Sequence, residues 1–297
     1  MPSTPITDCS GWAASAAAPP LGGPGALPSA LDFEWTDGDF EWVQSLIHER
    51  AGIRLHDGKH AMVYNRLSRR LRETGHRSFR EYLTWLERHQ GAEWQEFINA
   101  LTTNLTSFFR EPYHFEIFAR HLKSRLDDAP WRVWCNAAST GQEPYSIVMT
   151  VLDALGPRAA FSLVASDIDS RALASAALGE YPLEAVKELA PDRIRRHFMR
   201  GQGANQGLVR VKDQLRQSIT FRNVNLIGDD WPFLEPFDVV FCRNVMIYFD
   251  TATQRRVLDK IHRFLKPRGL LFVGHAENLG GSRDLFLLRG RTVYERR

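Results

Sequence analysis

The sequence predicts an α/β protein in which a small all-α domain precedes a doubly wound, mostly parallel sheet finished by an antiparallel hairpin. Three observations carry this. Apolar residues recur with helical spacing from Thr36 to about residue 126. Beyond that point, short apolar runs alternate with helical stretches, the pattern of parallel βαβ units. The chain then ends in two strand-like runs, 286–288 and 292–294, joined through Arg289-Gly290-Arg291.

The bulk numbers set limits. A chain of 297 residues, 43% hydrophobic and 25% charged, accommodates two globular units. A net charge of +3 is too small to imply a nucleic-acid partner. Cys9, Cys135 and Cys242 lack metal-ligand spacing, and Cys135 and Cys242 sit in apolar runs that suit small core residues. No apolar stretch is long enough to span a bilayer, and without a basic start followed by a continuous apolar run no secretory signal is expected. A soluble, cytoplasmic, monomeric protein is expected, without metal and without membrane insertion.

Residues 1–34, rich in Ala, Pro, Gly and Ser, are expected to form a disordered tail. Residues 35–110 form the helical domain. Thr36 and Asp39 resemble a capping box, Phe40, Val43 and Ile47 make the first apolar stripe, and Gly52 stops it. Val63, Leu67 and Leu71 make the second, ending at Gly75. Ser78 and Glu81 open a third helix carrying Phe79, Leu83 and Leu86. A fourth carries Trp94, Phe97, Ile98, Leu101 and Leu105. Pro112 starts a linker helix within 111–130, with Phe115, Phe118 and Leu122 on its stripe. The sheet domain spans 131–297, with strands over 131–135, 161–165, 237–242 and 269–274 and a helix over 251–265. Residues 179–218 interrupt the alternation as an inserted subdomain, of the kind that often sets partner specificity.

Ligands in such sheets bind at the carboxyl ends of the strands, so the residues that follow each strand carry the chemistry. After the first come Asn136-Ala-Ala-Ser-Thr-Gly-Gln-Glu143, small residues that admit a ligand close to the backbone; an ordinary turn looks similar. After the second comes Ser166-Asp-Ile-Asp169. A carboxylate there can accept from both hydroxyls of a ribose, or cap the next helix; Asp167 is assigned to the ribose and Asp169 to the cap. After the third, the Asn225 amide can meet an adenine amino group while Leu226 covers the ring. After the fourth, Arg243 and Asn244 lead directly off a buried run, with Tyr248 four positions on. Asn104, Thr106 and Arg110 lie among large apolar residues ahead of the sheet.

Taken together, the runs 104–111, 139–146, 166–169, 241–249 and 275–278 resemble the CheR-type chemotaxis receptor methyltransferases, over roughly residues 35–297. The resemblance implies a Rossmann-like class I S-adenosylmethionine-dependent methyltransferase domain behind a helical domain. It implies methyl transfer to glutamate carboxylates of chemoreceptors, yielding methyl esters and S-adenosylhomocysteine for chemotactic adaptation. By position it implies cofactor contacts from Asn104, Thr106, Arg110, Glu143, Asp167, Asn225, Leu226, Arg243 and Asn244, with Arg110 and Tyr248 near the transferred methyl. The turn after the first strand departs from the acidic-x-Gly-x-Gly-x-Gly pattern of the wider fold.

The second helix carries Arg66, Arg69 and Arg70, and its basic face is expected to dock acid-rich receptor helices, unless it is only a solvated surface. The loop 201–207 and strand 208–211 of the insertion offer an edge to which a receptor C-terminal tail peptide can add. Two rival readings remain. A nucleic-acid methyltransferase is disfavoured because Arg243-Asn-Val-Met246 stands where base-amino methyltransferases place Asn/Asp-Pro-Pro-Tyr/Phe. A non-catalytic S-adenosylmethionine-sensing module is disfavoured by the intact Arg110 and Tyr248.

Overall fold

The computed structural model describes residues 33–89, 91–125 and 129–297. The stretch expected as a disordered tail, Cys9 included, lies outside the described residues apart from Phe33 and Glu34.

Four helices, α1 (Asp37–Ala51), α2 (His60–Thr74), α3 (Phe79–Arg88) and α4 (Ala92–Leu101), build the N-terminal domain. Asp39 is long enough to close the box: its carboxylate accepts from the Thr36 N–H at 2.9 Å, and the Thr36 hydroxyl accepts from the Asp39 N–H at 3.2 Å. At α3 the exchange is partial, because Ser78 accepts from the Glu81 N–H but Glu81 reaches the N–H of Arg77 instead. The apolar stripes of all four helices meet in one core around Val43, Leu67, Leu83 and Phe97, each contributing ~1.5–3 kcal/mol on burial. Leu105 does not belong to it. The helix stops at Leu101 because Thr102 is extended, its hydroxyl hydrogen-bonded to the Asn99 carbonyl and to Asp169, and Leu105 is left 79% exposed.

Helix α5 (Pro112–Ser124), expected as a linker, packs Phe115, Phe118 and Leu122 into the core of the sheet. The sheet itself runs through β1 (Trp131–Cys135), α6 (Gln142–Leu155), β2 (Phe161–Asp167) and α7 (Ser170–Leu178). After the insertion come β6 (Ile219–Asn223), β7 (Phe237–Phe241), α10 (Thr251–Phe264), β8 (Leu265–Phe272), β9 (Phe286–Gly290) and β10 (Val293–Arg296). Strand order is β6-β2-β1-β7-β8-β10-β9, all running the same way except β10, which is antiparallel to both β8 and β9. The chain winds outward from β1 to β6, then returns to β7 on the other side of β1. The crevice above the carboxyl ends of β1 and β7 is therefore the natural ligand site. Asp238, the one carboxylate in the fully buried β7, is satisfied by Arg125, Lys266 and the Arg132 N–H.

The insertion holds β3 (Glu180–Pro182), α8 (Pro191–His197), β4 (Phe198–Arg200), β5 (Leu208–Val211) and α9 (Asp213–Gln217). Its sheet has the order β3-β5-β4, antiparallel throughout. Strand Leu208–Val211 is thus central, with both edges hydrogen-bonded, and is not the open edge expected for a tail peptide. Among the described residues no helix is long and apolar enough to cross a membrane.

Candidate active site

All nine residues expected to contact a cofactor, together with Tyr248, line one cavity of about 490 Å³ above the ends of β1, β2, β6 and β7. The helical domain closes it. Gly52, in the left-handed region at φ 70°, turns the chain so closely onto the sheet domain that a Cβ there would lie 2.7 Å from Ile227. Two residues on, the Arg54 N–H donates to the carbonyl of Tyr248 at 2.8 Å, and Arg54 and Lys59 reach the cavity rim.

On one side, Asp167 ends β2. Its carboxylate accepts from the N–H groups of Ser139 (2.8 Å) and Asp169 (2.9 Å), and burial pushes its pKa up to about 6 against these bonds. Asp169 caps α7 as expected, one oxygen accepting from the N–H groups of Arg171 and Ala172. Its other oxygen accepts from the Thr102 hydroxyl (2.6 Å) and the Asn104 amide (2.7 Å), which ties the interdomain segment to the sheet. Asn104 in turn accepts from the Ser139 hydroxyl. Asn225 bridges the domains: its amide N–H donates to the Arg50 carbonyl at 2.6 Å, while its oxygen accepts from Ile227 N–H and keeps one lone pair. Leu226 is buried beside it.

On the other side, Arg243 is fully buried between two carboxylates. It pairs with Glu143 at 2.5 Å and with Glu111 at 3.3 Å, and donates to the Arg110 carbonyl at 2.7 Å. Burial raises the pKa of Glu143, an effect that Arg243 only partly offsets. Burial also acts to raise Glu111, but Arg243 and hydrogen bonds from His275 outweigh it and hold that carboxyl at about 2. Arg110 sits between two residues in the left-handed region, Phe109 and Glu111, and donates to the Leu105 carbonyl. Thr106 lines the same cavity.

Asn244 is also left-handed, at φ 59°. One residue that the sequence reading left without a role explains how it is held. Glu277, 4% exposed, accepts from four backbone N–H groups: Gly274, Asn244, Val245 and Met246. The run 275–278 was visible as a motif, but a carboxylate serving backbone amides leaves no signature in spacing.

The cavity suits a nucleoside-bearing cofactor by its chemistry. It offers a hydroxyl acceptor in Asp167, an apolar wall in Val224 and Leu226, and the buried Asn136 amide. Comparison with known proteins decides the family. The CheR methyltransferase all-alpha domain matches residues 38–102, and the CheR methyltransferase S-adenosylmethionine-binding domain matches residues 104–294. The chain belongs to the CheR methyltransferase family. It is 52% identical to a chemotaxis protein methyltransferase of Klebsiella aerogenes over 87% of this chain and 89% of that one. It is 49% identical to that of Escherichia coli (87% and 91%) and 45% identical to chemotaxis protein methyltransferase 2 of Pseudomonas aeruginosa (91% and 99%). A magnesium protoporphyrin IX methyltransferase from Synechocystis, at 12% identity and TM-score 0.36 over 70% of this chain and 83% of that one, is too remote to inform the site. The protein is a CheR-type, S-adenosylmethionine-dependent chemotaxis methyltransferase, with the family's helical domain and class I methyltransferase fold.

Two of the three arginines expected to dock substrate are otherwise engaged. Arg70 is 8% exposed because it bonds both oxygens of Glu93, pairs with Glu73 and shares Glu93 with the Tyr82 hydroxyl. Arg66 is half-buried and donates to the carbonyls of Ala100 and Thr102, holding the end of α4. Arg69 alone is exposed, 2.8 Å from Glu73.

Proposed function

We propose that the cavity binds S-adenosylmethionine and presents its methyl to a glutamate carboxylate on the cytoplasmic helices of a chemoreceptor. In this reading Asp167 accepts from the ribose hydroxyls, and Asn225 and Leu226 meet the adenine. Asn104, Thr106, Glu143, Arg243 and Asn244 shape the remainder, and Tyr248 positions the methionyl end. The observation that carries the reading is the convergence of these residues on one cavity in a chain of this family.

When bound, the cofactor supplies an electrophilic methyl on a sulfonium. The protein's own task is then positional. A glutamate with a reference pKa of ~4.3 is already ionised at neutral pH, so no general base is needed. Arg110, whose fork matches a carboxylate, orients the incoming oxygen in line at ~3–3.5 Å. Too strong a bond would blunt the nucleophile, so a single guanidinium on the incoming oxygen suits the task better than an enclosing cluster. Receptor docking falls to Arg69 with the rim residues Arg54 and Lys59. These last two side chains make no hydrogen bond or ion pair among the described residues. A receptor tail peptide, if it adds to the insertion, pairs with an outer strand, β3 or β4.

Transfer of labelled methyl to a purified receptor cytoplasmic fragment, scored as methanol released by mild base, tests the reading. Base-labile label establishes a carboxyl ester. Bound cofactor without any label would sink the assignment and favour a sensing module.

A further inference from the structure

The segment 274–277 contacts both halves of the proposed machinery, although none of its residues lines the cavity. Glu277 gathers the N–H groups of Asn244, Val245 and Met246 at 2.8–2.9 Å, fixing the turn that leads to Tyr248. The same carboxylate takes the Gly274 N–H at 2.6 Å, so the turn is anchored to the end of β8. A Cβ at Gly274 would lie 2.3 Å from the Asn244 amide nitrogen, so a side chain there would displace that amide. On the opposite side, His275 donates its backbone N–H to Glu111 at 3.1 Å, and its ring Nδ1 lies 3.1 Å from the other oxygen of that carboxylate. Glu111 immediately follows Arg110, and both flanking residues of Arg110 are held in the left-handed region. A strained loop of that kind persists only when its surroundings over-determine it.

We propose that Gly274–His275–Glu277 is a positioning clamp that sets Arg110 against the Asn244–Tyr248 turn, His275 acting through Glu111 and Glu277 through the backbone. These are positioning residues, and the inference rests on the functional reading given above. The two arms separate by what they control. The Glu277 arm governs the cofactor side, through Asn244 and Tyr248. The His275 arm governs the orientation of the incoming carboxylate, through Arg110. Because the His275 ring is exposed and makes no hydrogen bond or ion pair besides that with Glu111 among the described residues, it can be altered without opening the core.

The test uses the full chain with a receptor cytoplasmic fragment, measuring kcat at saturating cofactor and the Kd of S-adenosylhomocysteine by calorimetry. His275→Ala is expected to lower kcat ~10-fold while the Kd changes less than ~3-fold, the scale of a small misplacement of a reacting group. His275→Asn, whose amide nitrogen takes the place of Nδ1, is expected to restore kcat to within ~3-fold. Glu277→Gln is expected to raise the Kd ~10-fold or more. Wild-type kcat in His275→Ala, or a loss that Asn fails to restore, overturns the clamp while leaving the methyltransferase reading intact. Failure of the unmodified protein to methylate any receptor fragment overturns both.

Discussion

Replacing Arg243 by Met keeps most of the side-chain volume but strands two carboxylates. Glu143 loses its cationic partner at 2.5 Å, and Glu111 loses one at 3.3 Å. Removing one member of a buried ion pair costs ~3–5 kcal/mol, because the remaining charge stays desolvated. The bond to the Arg110 carbonyl adds ~1 kcal/mol, for a total of ~4–6 kcal/mol against a typical stability of ~5–15 kcal/mol. The pH dependence gives the sharper signature. Without Arg243, the folded-state pKa of Glu143 rises further above its unfolded value, so the folded protein binds a proton that the unfolded chain does not. The deficit is therefore largest near pH 8 and shrinks as pH falls through that raised value. Urea unfolding at pH 8 and pH 5 reads both effects, and Arg243→Met combined with Glu143→Gln should regain ~2 kcal/mol at pH 8. A loss under ~1 kcal/mol, or one that is equal at the two pH values, refutes the account of a buried pair.

Other expectations follow from single contacts. Arg110→Ala should lower methyl transfer by ~100-fold or more, equivalent to ~2.7 kcal/mol of lost orientation, and unchanged turnover removes Arg110 from the mechanism. Asp167, pushed to about 6, is neutral below that pH and then a poorer acceptor, so cofactor affinity should fall as pH drops through 6 and Asp167→Asn should flatten the profile. For folding the sign is opposite: the raised pKa contributes stability that is present below the unfolded value and lost as pH rises through 6, which chemical unfolding of the cofactor-free protein can read. Gly52→Ala should cost ~1–3 kcal/mol in thermal or urea unfolding, from the left-handed backbone and the overlap with Ile227; a neutral effect would show that the domains can separate there freely.

Much of the fold was legible because local chemistry and global packing agree. Thr36 and Asp39, Gly52, Gly75 and Pro112 punctuate helices by rules that act within one turn, and the apolar stripes between them needed no distant partner. Leu105 fits the α4 stripe by spacing, but its fate was decided by Asp169, far along the chain, which holds Thr102 extended. The central place of β5 was hidden because β3 and β4 are three residues each, too short for alternation to register. Arg70 shows the same limit on a helix: periodicity gives the direction of the side chain, while Glu93 on another helix decides whether it meets water. The residues that line the cavity were easier to place than their supports, since strand ends in a doubly wound sheet face one crevice, whereas a carboxylate such as Glu277 works through backbone amides of any residue type.

Asp169 carries a consequence for anyone building chimaeras between relatives of this protein. The apparent breakpoint lies after α4, yet one oxygen of Asp169 completes the N-terminus of α7 while the other serves Thr102 and Asn104. Asn99 reaches the same place through Ser170. A transplanted helical domain must therefore bring residues 99–104 that match positions 169 and 170 of its host, and these sites should change in concert as lineages diverge.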